Sequence, residues 1–403
     1  MPTTFKPDTL PEFVGRYRVV ERIGKGAMGV VYSALDEQLG RKVAVKLMLA
    51  DFEEEPEMRE RFYREAKITG QLAHRNIVTL FDLGEDHGRP YIVMELLDGV
   101  PLLEYLGTAQ ASTVDAKIDL MIQVCDGLHN AHQAGVVHRD IKPSNLFVMK
   151  TGTLKVLDFG VARLSTSKLT AAGMLLGTPE YMSPEQARGQ KMDARSDVFS
   201  AAGVFYFMLT GRPPFGSKDL RKVLNGIMNE NPEPIGDDQA PEALRNILAK
   251  GLAKDPNDRY QQCLTMRDDL EQVKRTLVAS TSRTLTAALD RYRQILALIE
   301  ERRALGRKLA VAGVDASCDD AIARLETRFP VFAANVNAAA IVEPMDRSVA
   351  NAALEALQVR HNAEQAALAA LRDQQADALR SNAKAEAPAS GRGGFWRGLL
   401  NRD

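Results

Sequence analysis

An α+β fold is expected: a small β-rich lobe, a larger helical lobe and a further α-helical region towards the C-terminal end. Three observations predict it. Strand-like runs crowd into residues 17–97. The patterning turns mostly helical after Asp98-Gly99. The composition then shifts to Ala, Arg, Glu and Gln, with few aromatics, over residues 276–403. Strands and helices separate in this way because side chains alternate with period 2 along a strand and recur with period 3.6 along a helix.

Residues 1–16 are polar, carry Pro2, Pro7 and Pro11, and read as a flexible lead-in. Tyr17–Ile23 and Gly29–Asp36 read as two strands around a glycine-rich turn, and Lys42–Leu49 as a third. Asp51, Glu53, Glu54 and Glu55 lead into a helix over Glu57–Leu72. Acids suit that position because the helix N-terminus carries positive partial charge, so a solvated helix start is preferred to a docking patch. Ile77–Leu83 and Pro90–Glu95 read as two more strands. Residues 98–275 form the helical lobe.

A Ser/Thr-rich stretch follows and is expected as a linker over residues 276–288. Residues 289–383 read as helical. Leu285, Leu289, Tyr292, Leu296 and Ile299 recur at alternating steps of four and three, a heptad-like stripe. It stops at Arg303 and Gly306, too soon for a coiled coil. A second helical stretch runs from about Asp346 to Ala383, with Leu354, Leu357, Leu368, Leu371 and Leu379. Helices packing in cis as a small bundle or hairpin are expected, with self-association as the alternative. Residues 384–403 read as a flexible Gly/Arg tail holding the only Trp. Disorder, docking of Phe395, Trp396, Leu399 and Leu400 to a partner or to the preceding domain of the same chain, and contact with a membrane surface all stay open for it.

Bulk properties exclude several classes. The 403 residues can hold two or three domains. The formal net charge of −1 supplies no field favouring nucleic acid or an acidic membrane. Cys125, Cys263 and Cys318 are far apart, odd in number and without C-x-x-C spacing. They suggest neither a disulfide framework nor a zinc site, which suits a reducing cytosol. The N-terminus lacks the apolar core of a signal peptide. The longest nearly apolar run, Val198–Leu209, is about half of the ~20 residues a membrane-spanning helix needs. A cytoplasmic protein without a transmembrane segment is expected.

Four motifs carry chemistry. Gly24-Lys25-Gly26-Ala27-Met28-Gly29-Val30-Val31 fits G-x-G-x-x-G-x-V, in which glycines let backbone amides approach phosphates. The spacing alone also suits a dinucleotide fold, but there a helix follows the glycines. Here Val30–Leu35 is strand-like, which favours a hairpin folded over phosphates. Val43-Ala44-Val45-Lys46 places a lysine on the next strand, seventeen residues after Gly29, in reach of α- and β-phosphates. Such a lysine needs a carboxylate to hold it, and Glu65 on the following helix is the candidate. The third motif is His138-Arg139-Asp140-Ile141-Lys142-Pro143-Ser144-Asn145. The fourth, Asp158-Phe159-Gly160, begins thirteen residues after Asn145.

In this order and spacing the motifs resemble the signature of Hanks-type (eukaryotic-like) bacterial serine/threonine protein kinases, over roughly residues 17–275. The resemblance implies a bilobal protein-kinase fold and transfer of the ATP γ-phosphate to Ser or Thr hydroxyls of proteins, the chain itself among them. It implies that Asp140 accepts the proton of the attacking hydroxyl, that Lys142 steadies the transferring phosphate, and that Asn145 and Asp158 hold Mg²⁺, with Mn²⁺ as an alternative ion. Adenine would lie between Ile23, Val31 and Ala44 above and Phe147 below. Met94 would be the gatekeeper, the backbone of Glu95 and Leu97 would pair with the adenine edge, and Asp98 would contact the ribose.

Gly177–Glu185 resembles the family's substrate loop, with Ser183 where Ala is common. There Thr178 would bond Asp140 and Lys142. Glu185 would pair with Arg259, and Asp197 would brace the catalytic loop. Arg139 and Arg163 would receive a regulatory phosphate on Ser165, Thr166, Ser167 or Thr170; incidental hydroxyls on a polar loop are the alternative. Homodimerisation stays open. The rival readings are a pseudokinase scaffold, which would lack one of Lys46, Asp140, Asn145 or Asp158, and a small-molecule kinase, which would not need the peptide-docking loop.

Overall fold

The computed structural model describes residues 10–26, 29–48, 56–159, 179–237, 239–311, 313–336 and 347–386. The chain divides into two compact units, Met1–Arg275 and Thr276–Asp403.

The first unit opens with a six-stranded antiparallel sheet: β1 (Phe13–Val14), β2 (Tyr17–Lys25), β3 (Gly29–Asp36), β4 (Arg41–Met48), β5 (Leu80–Asp86) and β6 (Arg89–Glu95), in the order β1-β2-β3-β4-β6-β5. The sheet is curled, because residues beside its two edge strands touch. The Tyr17 hydroxyl donates to Asp82 Oδ2 at 2.6 Å, the Gly15 amide donates to Asp86 Oδ1 at 3.2 Å, and Arg16 lies 3.4 Å from Asp82. Gly15 has φ +56°, and a Cβ there would sit 2.3 Å from the Tyr91 hydroxyl, so the curl requires glycine. Val14, Tyr17, Tyr32, Val43, Val45, Leu47, Tyr91 and Val93 form the core inside the curl.

Along β4 the alternate residues turn the other way. Helix α1 (Pro56–Thr69) contributes Ala66 to a second cluster with Met48 and Ile92. Strand β1 falls inside the expected lead-in; two residues carry no periodic signal. Ile77–Val78, expected to begin a strand, instead hydrogen-bond to β9 of the helical lobe. Val78 N donates to Val156 O at 3.0 Å, and Ile77 forms a parallel bridge with Val156.

The larger lobe contains α2 (Leu102–Tyr105), α3 (Val114–Gln133), α4 (Pro184–Ala187), α5 (Ala194–Thr210), α6 (Leu220–Asn229) and α7 (Glu242–Gly251). A three-stranded sheet joins them: β7 (Gly99–Pro101), β8 (Leu146–Met149) and β9 (Leu154–Val156). The apolar run Val198–Leu209 lies in α5, a helix buried nearly all round at the centre of the lobe. Asp193 caps its N-terminus by accepting from the Arg195 amide, and Gly211 at φ +76° ends it in the left-handed conformation.

Helix α8 (Cys263–Lys308) begins in the first unit and ends in the second. The expected linker 276–288 is part of this helix. Its hydroxyls do not compete with the helix, because Ser280, Thr284 and Thr286 donate to the carbonyls of Leu277, Ser280 and Ser282 within it. Gly306 does not break the helix either. A Cβ there would lie 2.4 Å from Val314 Cγ1, so this glycine admits a close neighbour.

The second unit packs the rest of α8 with α9 (Val314–Arg328), α10 (Pro330–Asn335) and α11 (Arg347–Glu386). Leu289, Tyr292, Ile299, Leu325, Phe332 and Leu357 belong to its main apolar cluster, and Leu305, Leu368 and Leu371 to a second one. Residues 387–403 of the tail, Phe395 and Trp396 included, lie outside the described residues.

A charged layer falls between these two clusters along α8 and α11. The Glu364 carboxylate, with its side chain 3% exposed, meets Arg302 at 3.2 Å and is also bonded by Arg360. Removing one member of a buried charged set costs about 3–5 kcal/mol, whereas replacing the set with apolar residues is neutral or stabilising. Glu364→Leu alone should therefore lower the urea midpoint of this unit. Glu364→Leu combined with Arg302→Leu and Arg360→Met should restore or raise it.

Candidate active site

The glycine-rich run forms the turn between β2 and β3, so a strand follows the glycines. Gly26 N donates to Gly29 O at 2.9 Å and closes it. Gly29 is required by proximity, since a Cβ there would stand 2.4 Å from Leu47 O. Ala27 and Met28 lie outside the described residues. The sheet register then assembles one face of the site. Lys46 stands opposite Val31 on β3 and Ile92 on β6, while Ala44 stands opposite Met94. Directly opposed residues share a face of a sheet, so Val31, Ala44, Lys46 and Met94 point the same way.

Ile23, at the irregular β2 register, is about half exposed. Glu95 N donates to Thr79 O at 2.9 Å, so the amide of this residue is engaged within the small lobe. Phe147, on β8, is half-buried. Asp98 pairs with Lys150 at the surface, at 2.8 Å.

The loop His138–Asn145 is held from below by a buried carboxylate. Asp197, on the first turn of α5, accepts from His138 N at 2.7 Å and from Arg139 N at 2.8 Å, and meets His132 Nε2 at 2.7 Å. Burial alone would raise its pKa, but His132 and the Arg139 amide outweigh burial and hold it below the ordinary carboxylate value. His138 is itself buried. Its Nδ1 accepts from Asp140 N at 3.2 Å, so its Nε2 carries the proton and donates to Leu157 O at 2.7 Å. Its ring meets Phe159 edge-on, with centroids 4.5 Å apart.

These contacts bring the loop's chemical groups together. Asn145 Nδ2 donates to Asp140 O at 2.7 Å and to Asp140 Oδ2 at 2.9 Å, and Lys142 Nζ lies 2.8 Å from Asp140 Oδ2. Leu157 N donates to Asn145 O at 2.9 Å, so the segment ending in Asp158 is tied to the loop. Lys46 Nζ donates to Asp158 Oδ1 at 2.7 Å. Desolvation pushes the Asp158 carboxyl up, but the charge and hydrogen bond of Lys46, with the Lys142 charge, outweigh it and leave its pKa lowered. The backbones of Arg139 (φ +68°) and Asp158 (φ +56°) are both left-handed, a conformation L side chains adopt reluctantly.

Among the described residues no cluster of three or more His, Cys, Asp or Glu could hold a metal alone. An Mg²⁺ ion nevertheless fits the donors present. Asn145 commits its amide nitrogen to Asp140, so its carbonyl oxygen and the Asp158 carboxylate are the hard donors that would hold the ion together with phosphate oxygens.

Helix α4 anchors the loop from another side. Ser183 caps it by accepting from the Gln186 amide, a role Ala could not fill. Glu185 receives both ends of the Arg259 guanidinium, at 2.8 and 2.9 Å, and the Ser196 hydroxyl at 2.6 Å. Gln186 Nε2 donates to Arg139 O at 3.1 Å and joins α4 to the catalytic loop.

His132, Gln186 and the Glu95–Lys155 pair described below escaped the sequence reading. Only His132 left a signal there, as a second histidine six residues before His138. Glu65 lies on α1, with its side chain outside the described residues. Arg163, Ser165, Thr166, Ser167, Thr170 and Thr178 lie outside them altogether.

A curled β-lobe with a glycine turn, a helical lobe and an Asp–Lys–Asn loop beside a metal-suited Asp define a protein kinase domain. Residues 17–270 match the protein kinase domain family, and the chain belongs to it. Its relatives include the probable serine/threonine-protein kinase PknB of Corynebacterium glutamicum, 40% identical over 281 residues that make up 66% of this chain and 44% of that protein. Another is the serine/threonine-protein kinase Pkn1 of Myxococcus xanthus, 39% identical over 265 residues, 64% of this chain and 38% of that protein. The chain thus spans less than half the length of these relatives. The crystal structure of the Mycobacterium tuberculosis PknI kinase domain superposes with a TM-score of 0.54 at 25% identity, covering 66% of this chain and 98% of that one. No helix among the described residues is long and apolar enough to cross a membrane.

The Glu185–Arg259 pair ties stability to pH. Burial raises the Glu185 pKa, but Arg259 and Ser196 outweigh it, so the folded value lies below the ordinary 4.5. The unfolded chain then binds the proton more readily, and the stabilisation is complete above pH 4.5 and is lost as pH falls through the folded value. Glu185→Gln should lower the melting temperature at neutral pH and flatten its fall in acid. An unchanged acid limb in thermal melts would show that Glu185 does not contribute this dependence.

Proposed function

We propose that this chain is an ATP-dependent serine/threonine protein kinase. The observation that carries the proposal is the Asp140 carboxylate, held between Lys142 and Asn145 on a loop braced by buried Asp197. In the proposed reaction Asp140 orients the substrate hydroxyl and accepts its proton. The hydroxyl oxygen bonds to the γ-phosphorus as the bond to the β–γ bridging oxygen breaks, and ADP leaves. Lys142, beside Asp140, places positive charge where the γ-phosphoryl oxygens pass. Lys46 serves the α- and β-phosphates, with Glu65 as the partner expected to hold it. Mg²⁺, or Mn²⁺ in its place, held by Asn145 and Asp158, supplies charge neutralisation to the phosphates. Relatives named as serine/threonine kinases support Ser and Thr as acceptors.

The substrates are proteins, this chain among them. Autophosphorylation at Ser165, Thr166, Ser167 or Thr170, with Arg139 and Arg163 as receivers of the phosphate, belongs to the same proposal. So does a cytoplasmic setting, where ATP is supplied.

The purified chain incubated with labelled ATP and Mg²⁺ should transfer label to itself or to a generic protein acceptor. Asp140→Asn should reduce the rate by about 10²–10⁴-fold, the usual contribution of a positioned general base. Equal labelling by the variant would refute the assignment.

A further inference from the structure

The purine end of the site contains an ion pair with no part in phosphate chemistry. Lys155, on β9, is 8% exposed, and its ammonium donates to Glu95 Oε1 at 2.7 Å and to Ile77 O at 3.2 Å. The same Glu95 oxygen accepts from Thr79 N at 2.7 Å, while Glu95 N donates to Thr79 O. The side chain and backbone of Glu95 are therefore both fixed. Glu95 closes β6 at the crossing between the lobes, where its carbonyl is a group left for an adenine edge.

Lys155 also stands directly opposite Phe147 in the β8–β9 ladder. Opposed residues share a face, so the Lys155 stem lies beside the ring expected to floor the adenine. One side chain thus reaches from the floor of the slot to its edge. Three residues further on, the chain leaving β9 reaches Asp158.

We infer that Lys155 is a positioning residue for the purine: by holding Glu95 at a set distance from Phe147, it fixes the slot into which adenine slides. This rests on the ATP-binding reading of the site. A charge-assisted hydrogen bond in a largely buried setting is directional and strong enough to do this, and a neutral side chain could not replace it. The effect belongs to adenine affinity. Lys155 touches none of the groups that move the proton or the phosphoryl, so turnover at saturating ATP is not its concern.

The test uses the full chain and adenosine, which carries no phosphate, beside ATP. Lys155→Met should weaken adenosine binding by about tenfold in calorimetry, equivalent to ~1.4 kcal/mol, and should raise the KM for ATP by the same factor. The kcat should stay within about twofold of the unaltered protein, a change of less than ~0.5 kcal/mol in the barrier. Lys155→Arg keeps the cation and should recover most of the affinity.

Lys155→Met leaves a carboxylate unpaired, so Lys155→Met combined with Glu95→Gln separates positioning from simple loss of stability. That double variant should fold and still bind adenosine weakly, and it carries the comparison if the single variant does not fold. Unchanged adenosine affinity in Lys155→Met overturns the inference, as does a fall in kcat with adenosine affinity kept. Full recovery in the double variant also overturns it. No adenosine binding by the unaltered protein overturns the ATP reading itself, and this inference with it.

Discussion

The buried carboxylate of Asp197 is the constraint on which the site depends. An ionised carboxylate taken out of water loses several kcal/mol of solvation, which only hydrogen bonds and opposite charge can replace. Asp197 has no solvent exposure, so it requires partners. It finds them in the amides of His138 and Arg139 and the ring of His132. The need to satisfy one buried charge therefore fixes the backbone immediately before Asp140. Helix α5 can impose this because it is surrounded by protein along nearly its whole length. The loop carrying Asp140 is thus mounted on a helix in the interior of the lobe.

From that mounting the order propagates outward through short contacts. His138 relays it to Leu157 through Nε2 and to Asp140 through Nδ1. Asn145 relays it from Asp140 to the segment carrying Asp158, and Lys46 carries it across to the small lobe. Each step is a hydrogen bond or an ion pair between groups with few alternative partners. A break anywhere would shift Asp140, Lys142 and Asn145 relative to Lys46 and Asp158.

The parts of this arrangement legible in the sequence were those whose residues lie close together in the chain. The glycine turn, Lys46 and the Asp140–Asn145 loop are local patterns, and β2 to β4 announce themselves by alternation. What was not legible depends on what a segment meets after folding. Ile77 and Val78 look like strand residues, and they do pair, but with β9 rather than with the sheet expected. The hydroxyls of residues 276–288 look like helix breakers, yet they bond back to the preceding turn. Lys155 resembles any strand lysine until Glu95 is found beside it. No spacing rule connects residues sixty positions apart.

The left-handed backbones of Arg139 and Asp158 gain their meaning from the same network. A non-glycine residue at positive φ costs of order 1–3 kcal/mol and persists only where its neighbours over-determine it. Arg139 is fixed on both sides, its amide by Asp197 and its carbonyl by Gln186. Asp158 is fixed through Leu157, whose amide and carbonyl are both engaged by the catalytic loop, and through its own bond to Lys46. The two strained residues thus flank the loop's chemical groups, and each is held by contacts from two different elements. Relaxing either backbone would require breaking a bond to a buried partner. The site keeps its shape because its least comfortable residues are its most constrained.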